Sequence, residues 1–168
     1  DAKGKFEGAA EQTVTPDNLT AEWENLPSTI DGKEVVAYRA VEVTGDGWLQ
    51  IASEDGEGEG DVIFVNTFTR DFSVEKKWNP NSQSAKPEVT LGLYRTTDEK
   101  NVGSTTDGEA VPVDELDESQ GVRSVTLDGN ADTTAGGLEK EAWKATFTDL
   151  PEYDEESNLY YYYALELD

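Results

Sequence analysis

The sequence has no cysteine, no methionine and no histidine. Without thiols there is neither a disulfide nor a cysteine nucleophile. Without imidazoles the usual general base is missing, together with nearly every zinc or copper site. Positive charge is scarce: 13 lysines and arginines stand against 37 acidic residues, a net charge of −24 over 168 residues. Such a balance excludes phosphate backbones and anionic lipid as partners, so neither nucleic acid nor membrane is expected. It reads instead as a solvated, self-repelling surface that keeps an exported protein in solution. No apolar run approaches the length of a membrane span, and the opening "DAKGKFEGAA" lacks the pattern of a signal peptide.

Helical periodicity is also missing. Apolar residues recur with period two, between segments rich in Gly, Asp, Asn, Ser and Thr, which predicts an all-β chain of sandwich type. Strands are expected near 11–15, 20–25, 33–43, 47–52, 61–69, 71–79, 87–96, 122–127, 141–149 and 158–167. At "NTFTRDF", residues 66–72, two strand patterns meet with no Gly or Pro to turn the chain, so a continuous extended crossing is expected between two units. The acidic "EDGEGEGD" at 54–61 and the segment 98–120 read as loops without structure of their own.

Strand alternation places three kinds of polar residue on apolar stripes. In "FSVEKKW" one face carries Phe72, Val74, Lys76 and Trp78, which predicts Lys76 covered and Lys77 open. In "DVIFVNTFT" Asn66 lies among Val62, Phe64 and Phe68. Glu166 follows Tyr162 and Ala164, and Glu42 follows Tyr38 and Ala40. Singly, each has an ordinary explanation: a snorkelling lysine, a turn-capping amide, a wet strand end. Together, an amine, an amide and an acid on hydrocarbon faces are the parts of a Lys–Asn amide crosslink. Burial favours the neutral forms of amine and acid, and only the neutral amine is a nucleophile.

One block occurs twice. "ENLPSTIDGKEVVAYRAVEV" at 24–43 returns without a gap, 124 positions later, as "TDLPEYDEESNLYYYYALEL" at 148–167. Each copy has a Leu-Pro pair, a polar turn and a strand closing on Tyr-x-Ala-x-Glu. Two full units of that period do not fit in the chain. With "FSVEKKW", "KPEVTLGLYR", "SVTL" and "WKATFTDLPEYD", this block resembles the collagen-adhesin B-type (Cna B) domain of Gram-positive surface proteins, over nearly the whole chain. The resemblance implies tandem prealbumin-like, or inverse immunoglobulin-like, β-sandwich modules, both truncated. Residues 1–70 would be the C-terminal part of one module and 71–168 a module lacking its last strand.

It further implies an autocatalytic isopeptide bond, with Lys76 as the amine and Glu166 as the acid of the second module, and Asn66 as the acceptor and Glu42 as the acid of the first. The missing partners would lie outside the chain. The implied function is a stalk or spacer of a cell-wall-anchored adhesin or pilin-like protein. A host-ligand module gripping collagen or carbohydrate, or a split domain completed by a strand peptide, are the alternatives. Neighbouring modules, a complementing strand and an extracellular-matrix ligand are the implied partners. No cofactor and no activity on external substrates are expected.

Three weaker signals remain. "LPSTI" at 26–30 lacks the Gly of a sortase signal and reads as a turn before a strand. "DGNADTTAGGLE" spaces Asp128, Asn130, Asp132 and Glu139 as in a calcium loop, but Thr133 stands where the turn needs Gly, so a solvated acidic loop is the preferred reading. "YYYY" at 160–163 reads as core on one face and a covered surface on the other.

Overall fold

A computed structural model of the chain describes residues 10–15, 17–35, 38–56, 61–79, 85–131, 133–134 and 138–167. By internal contacts it divides into two compact units, Asp1–Ala40 and Val41–Asp168. In the first unit β1 (Thr29–Ile30) and β2 (Lys33–Glu34) form a hairpin. Its turn is Asp31-Gly32, with φ of 50° and 75°, the pair of positive φ angles that a tight two-residue hairpin requires. The strands expected at 11–15 and 20–25 do not form; a single Thr15–Asn18 bridge stands in their place. Of the strand expected at 33–43, only β2 forms among the described residues, with 36 and 37 lying outside them. Alternation marks a side as apolar but supplies no neighbour to take the backbone hydrogen bonds, and a strand needs both.

The second unit is an all-β sandwich. Its strands are β3 (Trp48–Asp55), β4 (Val62–Glu75), β5 (Val89–Thr96), β6 (Glu109–Ala110), β7 (Ser124–Leu127), β8 (Thr133–Thr134), β9 (Leu138–Glu141), β10 (Lys144–Pro151) and β11 (Tyr161–Leu167). One antiparallel sheet runs β3-β4-β10-β9-β8. In the other, β5 carries β11 on one edge and both β6 and β7 on the opposite edge. Both sheets feed one core: Leu93 of β5, Leu127 of β7, Phe147 and Leu150 of β10 and Tyr162 of β11, joined by Val111 from the loop after β6. Each such side chain contributes about 1.5–3 kcal/mol by leaving water.

β4 is the long element. It pairs with β3 from Val62 to Phe68 and with β10 from Thr69 to Glu75, with no break at the boundary expected between residues 70 and 71. "NTFTRDF" has no residue that would end a strand, and the extended crossing follows.

The sequence repeat has a backbone signature. Asn25 (φ 53°) and Asp149 (φ 56°), each just before a Leu-Pro pair, are in the left-handed region that Asn and Asp tolerate. In each copy a tyrosine eleven residues after the proline donates its hydroxyl to the proline carbonyl: Tyr38 to Pro27, and Tyr162 to Pro151 at 2.6 Å. The settings differ, since Leu26 is exposed whereas Leu150 is fully buried.

The segment 98–120, expected to be structureless, holds β6 and two single-turn 3-10 helices, Glu99–Asn101 and Glu118–Gln120, each capped by an aspartate. It folds over the outer face of β5 and β11. Tyr163 stacks on Tyr94 at 5.8 Å and donates to the Ser104 carbonyl at 2.9 Å. Its hydroxyl fills the space that a side chain at Gly108 would need.

Candidate functional site

Two polar pairs assemble from the residues singled out by alternation. On β4, Asn66 donates from Nδ2 to Glu42 Oε1 at 2.8 Å. The other acceptor of each group, Asn66 Oδ1 and Glu42 Oε2, is buried without a partner. An unsatisfied buried polar group costs about 1–3 kcal/mol, so this contact is half-made. A neutral carboxyl has the one donor that this pair lacks.

The second pair lies where β4 ends. Lys76 N donates to the Trp143 carbonyl at 2.9 Å, which carries the extended path one residue past the strand. Alternation then turns Lys76 inward, with its side chain 26% exposed against 80% for Lys77. Lys76 Nζ meets Glu166 Oε2 at 2.7 Å and lies 5.1 Å from the centre of the Trp78 ring. The Glu166 side chain is 55% exposed, so the pair stands at a half-open surface rather than in the core. Among the described residues β11 pairs with β5 alone, and its other edge carries no strand. Beside these groups Trp78 packs edge-on against Trp143 at 5.3 Å, with its indole N–H buried and unpartnered.

Asn66 and Lys76 do not meet. Ten residues of extended strand separate them, roughly 33 Å at about 3.3 Å per residue. The structure therefore brings an acid to the amide in one place and an acid to the amine in another.

The quartet Asp128, Asn130, Asp132 and Glu139 does not form a shared site among the described residues, where no group of three or more metal-binding side chains occurs. Asp132 lies outside the described residues. Asp128 accepts from Lys140 Nζ at 2.8 Å and from Asn130 Nδ2 at 2.9 Å. These bonds, Lys140 first, hold its carboxyl below the usual carboxylate range. Glu139 sits in β9 opposite Thr146.

A charged cluster went unforeseen. Arg95 donates from Nε to Glu109 and from Nη1 to Glu115 Oε2 at 2.7 Å, and its guanidinium lies 4.4 Å from the Tyr160 ring centre. Burial works against its charge, but Glu115, Tyr160 and Glu109 together outweigh burial and hold the Arg95 pKa above its ordinary value. Burial likewise pushes Glu115 up against the pull of Arg95, and takes the Tyr160 hydroxyl up to about 12. The signal was present: Val89, Leu91, Leu93 and Arg95 form one stripe, the same pattern that marked Lys76.

Comparison with family models, curated proteins and solved structures finds no match to the chain.

Proposed function

We propose that the chain is part of a stalk of a Gram-positive surface protein, built from modules that stabilise themselves by Lys–Asn amide bonds. The reading is supported most directly by the two pairs: Glu166 touches the amine of Lys76, and Glu42 touches the amide of Asn66, each pair being a triad short of one member. The tandem prealbumin-like architecture and the cell-wall location belong to the same proposal.

The chemistry uses groups already in contact. A strand docking on the free edge of β11 covers Lys76 and Glu166 and removes their water. The amine Nζ attacks Cγ of the incoming Asn, a C–N bond forms, and the carboxamide nitrogen leaves as ammonia with a proton relayed by the glutamic acid. At Glu42 the acid already accepts from the carboxamide. With one proton it also donates to Oδ1, which polarises the carbonyl for attack and satisfies both orphaned oxygens. Positioning supplies much of the rate, since the amine and amide are held in near-attack geometry. The reaction turns over once.

The test is to mix the full chain with a synthetic peptide of residues 61–69 and with its Asn66→Ala version. The expected product is an SDS-resistant adduct whose mass is the sum less one ammonia, formed with the Asn peptide only and abolished by Lys76→Ala. The chain alone should keep its full mass, because β4 holds Asn66 and Lys76 apart. Ammonia loss without peptide, or equal behaviour of the two peptides, would sink the reading.

A further inference from the structure

An open cavity of about 310 Å³ lies between β3, β4 and the turn that follows β10. Trp48, Phe68 and Tyr153 line it, and all three are well exposed, at 44%, 50% and 36%. Trp48 and Phe68 are cross-strand partners with ring centres 4.0 Å apart and planes tilted by 35°. The turn is stiff: Tyr153 N donates to Thr67 Oγ1 at 3.1 Å, and the Asp154 carboxylate is clasped by the backbone and side chain of Asn158 at 2.7 and 2.9 Å. Asp154 and Glu155 bring two carboxylates to the lining, and among the described residues neither is paired with a lysine or arginine. Asn66 lines it as well, with its amide nitrogen committed to Glu42 and its Oδ1 unpartnered.

The cavity thus presents aromatic faces and, among the described residues, carboxylates without a cationic partner, alongside the hydroxyls of Tyr153 and Ser157. A cation needs only acceptors and π faces, and the net charge of −24 draws it in while repelling anions. We infer that this cavity binds the guanidinium of an arginine in a basic peptide segment of another protein. The planar, weakly hydrated guanidinium matches the aromatic pair better than a compact ammonium does. Its flat face rests on Trp48 and Phe68, and its N–H groups donate to the carboxylates. Binding is reversible and forms no covalent bond, so it goes beyond the crosslinking reading and does not depend on it.

Calorimetry of the full chain with a Gly-Arg repeat hexapeptide and its citrulline counterpart tests the inference. Neither peptide holds lysine or asparagine, so neither enters amide formation. Saturable binding of the arginine peptide alone is expected, weakening as salt rises. Trp48→Leu and Glu155→Gln, both at exposed positions of the lining, should each weaken it about five- to tenfold, whereas Glu118→Gln, an exposed carboxylate elsewhere, should leave it unchanged. Equal binding of the citrulline peptide, equal weakening by Glu118→Gln, or binding of a neutral oligosaccharide in place of the arginine peptide would overturn it.

Discussion

Replacing Arg95 by Met should destabilise the second unit strongly, and the size follows from what is left behind. The Arg95 and Glu115 side chains are 8% and 7% exposed. Glu115 Oε1 already lacks a partner, and the substitution also removes that of Oε2. Breaking one side of a buried ion pair costs about 3–5 kcal/mol, while the 60% exposed Glu109 adds little. For a unit of this size the loss lowers the melting temperature by about 10–15 °C.

Arg95→Met with Glu115→Leu should recover most of that, since apolar groups often replace a buried pair at no net cost. The deficit should also depend on pH. Burial raises the folded-state pKa of Glu115 above its ordinary 4.5, and Arg95 pulls it back. A carboxyl raised on folding favours the fold below its unfolded pKa, and that contribution is lost as pH rises through the folded value. With Arg95 gone the raise is larger, so the gap between variant and wild type widens as pH rises above the ordinary 4.5 of the carboxyl. Thermal unfolding followed by circular dichroism measures it. A gap independent of pH, or a double variant as unstable as the single one, would refute the reasoning.

Three further outcomes are expected. Gly108→Ala sets a Cβ 1.7 Å from the Tyr163 hydroxyl, so the ring must shift and lose Ser104, at a cost of about 1–3 kcal/mol in urea unfolding. Tyr162→Phe leaves the buried Pro151 carbonyl unpaired and costs about 1–3 kcal/mol, whereas Tyr38→Phe, on a side chain open to water, shifts stability by less than about 0.5 kcal/mol. Lys140→Met should raise the Asp128 pKa toward its ordinary 3.8 in a carbon NMR titration. The depressed pKa of Asp128 adds stability that is present above the unfolded value and lost as pH falls through the folded one, so this variant should lose less on acidification.

Strands were legible where alternation coincides with a neighbour. "VTLGLYR", "KATFTDLP" and "YYYALEL" became β5, β10 and β11, because their apolar faces close on a common core. "KEVVAYRAVEV" has the same alternation, but only its first two residues form a strand among those described. The orientation of Lys76 against Lys77 followed from period two alone. The openness of Glu166 did not, because whether a strand end is covered depends on what lies across the sandwich. The segment 98–120 misled for a chemical reason. Its inward side chains are Val111 and Glu115, and the glutamate is acceptable there only because Arg95 comes to meet it from another strand. A reading that treats charge as a mark of solvent misses such a pair.

The unbroken run of β4 imposes a rule on how this stretch can change in length. Asn66 and Lys76 are both at even positions of one extended path, as are Phe72 and Val74, which pack toward the core. Inserting a single residue between Asn66 and Phe72 would rotate every later side chain to the opposite face, sending Lys76 to water and Asp71 toward the hydrocarbon. Inserting two would restore the facing and shift only the pairing. Length variation in this stretch is therefore expected in steps of two, and a one-residue gain or loss would require a bulge to absorb it.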